Sequence, residues 1–226
     1  MNSSAAPSLE PPEPLLHASV YEELRRRFIT GKVVPGAALS TRGLALELGV
    51  SQMPVRDALS RLAADGAVSI RSKRRIEAPP MSEARFADLL SCRLLLEPRA
   101  AVLALPHIGP ALVRQLNEID AALDRAMEAG DVIAYMECNF AFHFSLYRAN
   151  GRPTLNRLIE TLWLQFGPYM RVVYGRFGTA NLVDQHHLAL AAIAAGDAKS
   201  LEAAIASDIA DGMGLIGASR WAEPPP

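Results

Sequence analysis

The sequence predicts a mainly α-helical protein with one short β-hairpin in its N-terminal third and an antiparallel helical bundle in the remainder. Apolar residues recur every three or four positions along most of the chain, which is the spacing of a buried helix face. Apolar and polar residues alternate over one short stretch near residue 70, and alternation is typical of a strand. Glycine and proline interrupt the helical pattern repeatedly, so we expect many helices with short connections.

The composition favours a protein that folds in water. Hydrophobic residues make up 50% of the 226 residues, which is enough for a large core, but no run of about 18 apolar residues predicts a membrane-spanning helix. The first residues lack the basic and apolar regions of a signal peptide. Cys92 and Cys138 have neither metal-binding nor redox spacing, which predicts reduced thiols. We therefore expect a cytoplasmic protein.

Three helices are predicted before the hairpin, at residues 17–30, 41–48 and 51–62. Gly49 provides the positive φ of a tight turn between the second and the third. The hydroxyl of Ser51 is expected to cap the third helix, whose buried face is formed by Val55, Leu59 and Leu62. Two helices joined by a short turn with glycine form a helix-turn-helix arrangement.

A hairpin and a charge difference follow from the next residues. Strands are predicted at residues 68–70 and 76–78, on either side of a basic tip at 71–75. Residues 15–78 contain eleven Lys and Arg against six Asp and Glu, whereas residues 81–226 contain twelve against sixteen. A basic domain followed by an acidic one is typical of a DNA-binding domain with a separate control domain.

Two motifs in the basic domain are specific. They are Pro35-Gly36-Ala37-Ala38-Leu39-Ser40 and Leu48-Gly49-Val50-Ser51-Gln52-Met53-Pro54-Val55-Arg56-Asp57-Ala58-Leu59. With them, residues 17–80 resemble the winged helix-turn-helix domain of the GntR family of bacterial transcription regulators. Gln52 stands where that family usually has arginine, and Arg75 where glycine is common.

One winged helix contacts only a few base pairs, which is too little for selectivity. We therefore expect a homodimer that binds a palindromic DNA operator. Contacts with DNA are expected from the recognition helix, from the helix before it and from the wing. The six candidate side chains are Arg42, Ser51, Gln52, Arg56, Lys73 and Arg74.

The rest of the chain is predicted to be a second, all-helical domain. Residues 1–14 are expected to be a disordered tail before the first domain, 15–78. A linker at 79–81 leads into the helical domain, 82–218, and residues 219–226 form a C-terminal tail. Helices are predicted at residues 82–105, 110–129, 131–149, 153–174, 180–195 and 197–216.

Several polar residues interrupt the apolar faces of these helices. They are Arg93 and Glu97, Asn139 and His143, either His186 or His187, and Asp208. Arg93 and Glu97 are four residues apart and could neutralise each other. A single histidine on an apolar face is most often a core residue. Imidazoles and a carboxylate from separate helices are also the way in which helical bundles build metal sites.

Three motifs in this domain carry a second resemblance. They are Arg93-Leu94-Leu95-Leu96-Glu97, Asn139-Phe140-Ala141-Phe142-His143, and His186 ten residues before Gly196-Asp197. Residues 82–216 thereby resemble the FCD effector domain of the FadR-like branch of the same family. Its metal-binding members use Asp, His, His and His, and those positions fall here on Asn139, His143, His186 and Asp208.

Together these observations predict a ligand-responsive transcription regulator, not an enzyme. The resemblance implies a small carboxylate effector bound near Arg93, Asn139, His143 and His186. A divalent metal, zinc or nickel, would suit a site with two imidazoles. One alternative is a helical metalloenzyme that uses His143, His186 and Asp208. The other is a helical protein whose buried polar residues only specify packing.

Overall fold

The structure of the protein is a computed structural model that describes residues 13–72, 75–177 and 184–218. Among the described residues, the N-terminal part contains three helices and a two-stranded antiparallel sheet. They are α1 (Glu13–Ile29), α2 (Thr41–Leu48), α3 (Gln52–Ala64), β1 (Ser69–Ser72) and β2 (Arg75–Glu77). Ile70 pairs with Ile76 across the hairpin. The predicted tip residues Lys73 and Arg74 lie outside the described part of the chain.

The described residues of the C-terminal part form an all-helical bundle. Its helices are α4 (Glu83–Ala104), α5 (Pro110–Glu128), α6 (Val132–Arg148), α7 (Pro153–Phe177), α8 (Gln185–Ala195) and α9 (Ala198–Ala218). Helix α4 packs against α9, α7 and α6, while α5 packs against α6 and α8. The predicted fold class is thereby confirmed. In the residues that the structure describes, no helix is both long and apolar enough to cross a membrane.

Side-chain caps fix where several helices begin. Ser40, Asp131 and Asp197 accept hydrogen bonds from the first-turn amides of α2, α6 and α9. Such acceptors satisfy amides that have no partner inside the helix. The predicted start of the eighth helix at residue 180 is wrong: the Asp184 carboxylate accepts from the His187 amide at 2.9 Å and caps a helix that begins at Gln185.

The N-terminal helix is longer than predicted. It begins at Glu13 instead of residue 17, and so includes the last two residues of the predicted tail. Pro14 is compatible with this start, because the first turn of a helix does not need its amide. The other residues of both predicted tails, 1–12 and 219–226, lie outside the described residues.

Helix α7 lies directly against the C-terminal end of α1 and joins the two parts of the molecule. The backbones approach so closely that a Cβ on Gly167 would lie 2.3 Å from the carbonyl oxygen of Phe28 and 2.6 Å from that of Ile29. A larger side chain at position 167 would therefore have to push the backbones apart.

Ion pairs surround this contact between α1 and the bundle. Arg25 lies 2.6 Å from the Glu160 carboxylate. Glu137 accepts from Arg26 at 2.9 Å and from Lys32 at 2.8 Å. These partly exposed pairs orient the two parts more than they stabilise them, because water screens such charges.

The connection between the two parts is also held in place. The Tyr169 hydroxyl donates to the Pro79 carbonyl oxygen. Arg85 Nη2 donates to the Gly66 carbonyl oxygen and to Gln165 Oε1, each at 3.0 Å. The linker is thus bound to α7 by hydrogen bonds as well as being short.

Candidate functional site

Two histidines and one carboxylate from three helices meet inside the bundle. His143 Nε2 on α6 lies 3.0 Å from Asp208 Oδ2 on α9 and 3.3 Å from His186 Nε2 on α8. The other Asp208 oxygen lies 3.8 Å from His186 Nε2. Both histidines are buried, while the Asp208 side chain keeps 26% of its surface exposed. One ligand atom from each residue lies within 4.8 Å of the other two.

Of the two adjacent histidines on α8, His186 faces this cluster. His187 is exposed, and its backbone amide donates to the capping Asp184. Helical periodicity did not determine which of the two histidines faces the interior, because both fall near one apolar face.

Hydrogen bonds on the far side of each imidazole determine which nitrogen faces the cluster. His143 Nδ1 lies 3.0 Å from the Tyr147 hydroxyl, and that hydroxyl donates its single proton to Glu97. The Tyr147 oxygen must therefore accept from His143 Nδ1–H. His186 Nδ1 lies 3.3 Å from a carboxylate oxygen of Asp120, which can only accept. When neutral, both imidazoles thus direct an Nε2 lone pair towards the centre. When protonated, His143 instead donates from Nε2 to Asp208 Oδ2 at 3.0 Å.

Glu97 is fully buried and holds this outer layer of hydrogen bonds together. Its Oε2 accepts from the Tyr147 hydroxyl and from Trp163 Nε1, each at 3.0 Å. Arg93 donates to Glu97 through Nε at 2.5 Å and through Nη2 at 3.3 Å. Its guanidinium also lies over the rings of Trp163 and Phe166. Arg93 and Glu97 thus neutralise each other's buried charge, as their spacing allows.

The charges of the cluster shift the pKa values of its members. Burial alone would raise the pKa of Asp208, but the hydrogen bond and positive charge of His143, helped by His186, outweigh it and lower that pKa to about 2. Burial opposes the charged form of His186, yet its hydrogen bond to Asp120 and the charge of Asp208 raise the pKa of this imidazole above its usual value. The cluster therefore favours a carboxylate together with positive charge.

The arrangement fits one divalent ion. Bonds of about 2.1 Å at tetrahedral or octahedral angles separate neighbouring ligand atoms by about 3.0–3.4 Å. The distances from His143 Nε2 to Asp208 and to His186, 3.0 and 3.3 Å, lie in this range. Carboxylates or hydroxyls that hold the other nitrogen of a ligand histidine are typical of metal sites. Asp120 and Tyr147 occupy those positions.

Asn139 lies one helical turn before His143 on α6. It is 4% exposed, and its side chain makes no hydrogen bond to any residue that the structure describes. The spacing of four residues places Asn139 on the same side of α6 as His143.

The outer layer of the site, formed by Asp120, Tyr147 and Trp163, was not predicted from the sequence. Asp120 had a detectable signal, because it falls on the apolar face of α5 between Leu116 and Leu123. Tyr147 and Trp163 gave no signal, since aromatic residues on apolar faces are usual core residues.

Four of the six expected DNA-contacting side chains lie among the described residues, on α2 and at the start of α3. Arg42, Ser51, Gln52 and Arg56 are all exposed. The predicted hydrogen-bonded cap by Ser51 is wrong: Ser51 occupies the N-cap position, but its side chain makes no capping bond. The third helical residue is Pro54, which has no amide hydrogen to donate. The Ser51 hydroxyl is thus not engaged in capping α3.

A winged helix-turn-helix joined to a helical domain with a buried polar cluster defines a DNA-binding protein with a separate control domain. Comparisons with known proteins agree. The family described as bacterial regulatory proteins, gntR family, matches residues 16–77, and the FCD domain family matches residues 88–211. The chain belongs to the GntR family and is a transcription regulator with an FCD effector domain. GntR regulators bind DNA, and FCD domains bind small-molecule effectors.

Individual relatives extend over most of the chain. The HTH-type transcriptional regulator McbR of Escherichia coli (strain K12) is 29% identical over 204 residues, which cover 89% of this chain and 92% of that protein. The solved structure of E. coli McbR/YncC superposes with a TM-score of 0.85 over 90% of this chain and 98% of that one. A GntR regulator from Rhodococcus sp. RHA1, 22% identical with a TM-score of 0.73 over 91% of this chain and 99% of that one, shares the fold. These relatives are transcription regulators, not enzymes.

Proposed function

We propose that this regulator binds a palindromic operator as a homodimer and senses a small carboxylate metabolite through a divalent metal in its FCD domain. One observation carries the sensing part: the Nε2 atoms of two imidazoles and one carboxylate converge, and the Nδ1 atom of each imidazole faces an oxygen acceptor. A metal ion satisfies all three groups together, whereas a single proton satisfies only one pair.

The proposed ligands are His143, His186 and Asp208, with the Asn139 amide oxygen as a weak fourth. Zinc or nickel suits this set better than magnesium, because imidazole is a ligand that these ions prefer. Three or four protein ligands leave coordination positions for the oxygens of an acid. The ion would supply the charge that attracts the effector.

Arg93 is proposed to contact the carboxylate of the effector. Two of its nitrogens are bonded to Glu97, but Nη1 has no hydrogen-bond partner among the described residues. Its charge also contributes to the lowered pKa of Asp208, which places it within electrostatic range of the cluster. We therefore propose that Nη1 of Arg93 donates to an acid bound to the metal.

The DNA-binding part rests on exposed, unpaired side chains. Gln52 and Arg56 make no hydrogen bond or ion pair with any residue that the structure describes, and both lie near the start of α3. A recognition helix contacts base edges with side chains at this end. The wing residues Lys73 and Arg74 are proposed to contact phosphates or the minor groove. One such helix contacts only a few base pairs, so a two-fold dimer is needed for selectivity.

Calorimetry on chelator-treated protein tests the sensor. Zinc and nickel should each bind with one ion per chain, and His143→Ala should abolish this binding while the exposed His107→Ala leaves it intact. Lactate, malonate and citrate should then raise the thermal midpoint of the metal-loaded protein only. Equal metal binding by wild type and His143→Ala would refute the site.

Selection of DNA from a random pool tests the regulator. We expect enrichment of a palindrome, and light scattering should give about twice the chain mass of 24.4 kDa. Arg56→Ala should reduce discrimination at the contacted base by about 1–3 kcal/mol. A strict monomer, with and without DNA, would contradict the proposal.

A further inference from the structure

The start of α3 exposes an apolar side chain that no packing explains. Met53 is 60% exposed, although Pro54 and Val55, its immediate neighbours, are buried. At about 100° per residue, the buried residues of α3 cover one half of the helix, and Met53 lies near the middle of the opposite half. The thioether therefore points away from the protein core.

Met53 lies beside two polar side chains that also point outward. Gln52, Arg56 and Met53 share an arc of about 100° on the helix, with Arg56 between the other two. Asp57, the next exposed residue, has its negative charge paired with His17 Nδ1 at 3.1 Å. The face thus presents an amide, a guanidinium and a thioether, while its carboxylate is engaged elsewhere.

We propose that Met53 and Gln52 select A·T base pairs in the operator half-site at the start of α3. Met53 packs on the C5-methyl group of a thymine, and Gln52 pairs with an adenine. This inference rests on the proposed docking of α3 in the major groove. The thymine methyl is the apolar group displayed there. Methionine is long, flexible and polarisable, and is suited to such a contact.

The chemistry of Gln52 favours adenine over guanine. Its amide offers one acceptor and one donor, which match the N6 donor and N7 acceptor of adenine. Guanine presents two acceptors at the same edge, so the amide oxygen would face the guanine O6 oxygen. Gln52 and Met53 both lie in the first turn of α3, so both can reach base pairs at that end of the helix.

Modified bases test the two contacts separately on the operator obtained by selection. Replacing the contacted thymine by uracil removes only the methyl group, and should weaken wild-type binding about three- to five-fold. Met53→Ala should bind both DNAs equally. Replacing the contacted adenine by 7-deazaadenine should weaken wild type about ten-fold, and should not affect Gln52→Ala. Gln52→Arg should select guanine at that position.

Leu158→Ala serves as the control, because Leu158 is 52% exposed on α7 of the effector domain. Like wild type, it should bind the thymine DNA more tightly than the uracil DNA, and the adenine DNA more tightly than the 7-deazaadenine DNA, by the same factors. Thermal midpoints of all variants should agree, since the replaced side chains are exposed. If Met53→Ala still distinguishes thymine from uracil, or if Gln52→Arg selects the wild-type sequence, the inference is overturned while DNA binding stands. If wild type selects no sequence, the proposed function fails together with it.

Discussion

The start of α3 and the centre of the bundle use polar side chains in opposite ways. On α3, Gln52 and Arg56 are exposed and have no partner among the described residues. In the bundle, Glu97, Tyr147 and Asp120 are buried, and each is engaged in holding another side chain. The first surface is free to take its partners from DNA. The second is already organised, around three groups that we propose as ligands of a metal ion.

Helix α7 connects these two regions. Trp163 donates to Glu97 on one side of α7, and Gly167, one turn later, lies against the backbone of α1. Because α1 packs on α3, a chain of direct contacts runs from the cluster of His143, His186 and Asp208 to α3.

Loss of one central ligand should have the largest effect. Asp208→Asn keeps the shape of the side chain but removes the charge that faces both imidazoles. Zinc affinity measured by calorimetry should fall by well over the roughly 100-fold that is typical for loss of an outer partner. Asp211→Asn, on the same helix and hydrogen-bonded to Gln185, is the matched control and should bind zinc as wild type does. Equal losses in both variants would contradict this assignment.

A methyl group at the contact between α7 and α1 should have the second largest effect, a loss of stability. Gly167→Ala places a Cβ against two carbonyl oxygens of α1, and we expect the free energy of unfolding to fall by about 3 kcal/mol. Urea denaturation measures this change. The same substitution at Gly214, where no atom lies within 4 Å of the added Cβ, should instead stabilise α9 by about 0.5–1 kcal/mol. If both substitutions raised the free energy of unfolding, the close contact between Gly167 and α1 would not limit the side chain at position 167.

Removal of an outer partner should weaken the site without destroying it. Tyr147→Phe leaves His143 Nδ1 without its acceptor, so zinc affinity should decrease by about 10- to 100-fold. Tyr169→Phe removes a hydroxyl that bonds to the linker instead, and should leave zinc affinity unchanged. An unaffected Tyr147→Phe protein would mean that the orientation of His143 does not depend on this bond.

The smallest effect is expected at the ion pairs between α1 and the bundle. Glu137 is 41% exposed and accepts from Arg26 and Lys32. Glu137→Gln should therefore lower the free energy of unfolding by less than about 1 kcal/mol. The difference from wild type should disappear in about 1 M salt, because ions screen exposed charges. A larger loss that persists in salt would identify these pairs as a main contact between the two parts.

The start of α3 could be predicted from the sequence more completely than the bundle centre. The start of α3 is contained in one helix, so the spacing of Val55, Leu59 and Leu62 was enough to identify Gln52 and Arg56 as exposed. Pro54 removes one of the two amides that could donate to a Ser51 cap, which is a local rule that could have been applied.

The bundle centre depends on how separate helices pack, which no local pattern contains. Each of His143, His186 and Asp208 was found as a polar residue on an apolar face, but their mutual distances needed the packed structure. Asp120 lay on such a face too, and was missed because a single aspartate there has many explanations. Arg93 and Glu97 were identified, and their spacing correctly suggested that they could pair.

X-ray absorption at the zinc edge of the loaded, full-length protein tests the central claim most directly. We predict a first shell of nitrogen and oxygen at about 2.0–2.2 Å, with the outer-shell signal of two imidazoles. His186→Ala should lose one of the two imidazole signals or release the ion. A shell with sulfur at about 2.3 Å, or a spectrum unchanged in His186→Ala, would place the metal elsewhere and contradict the account.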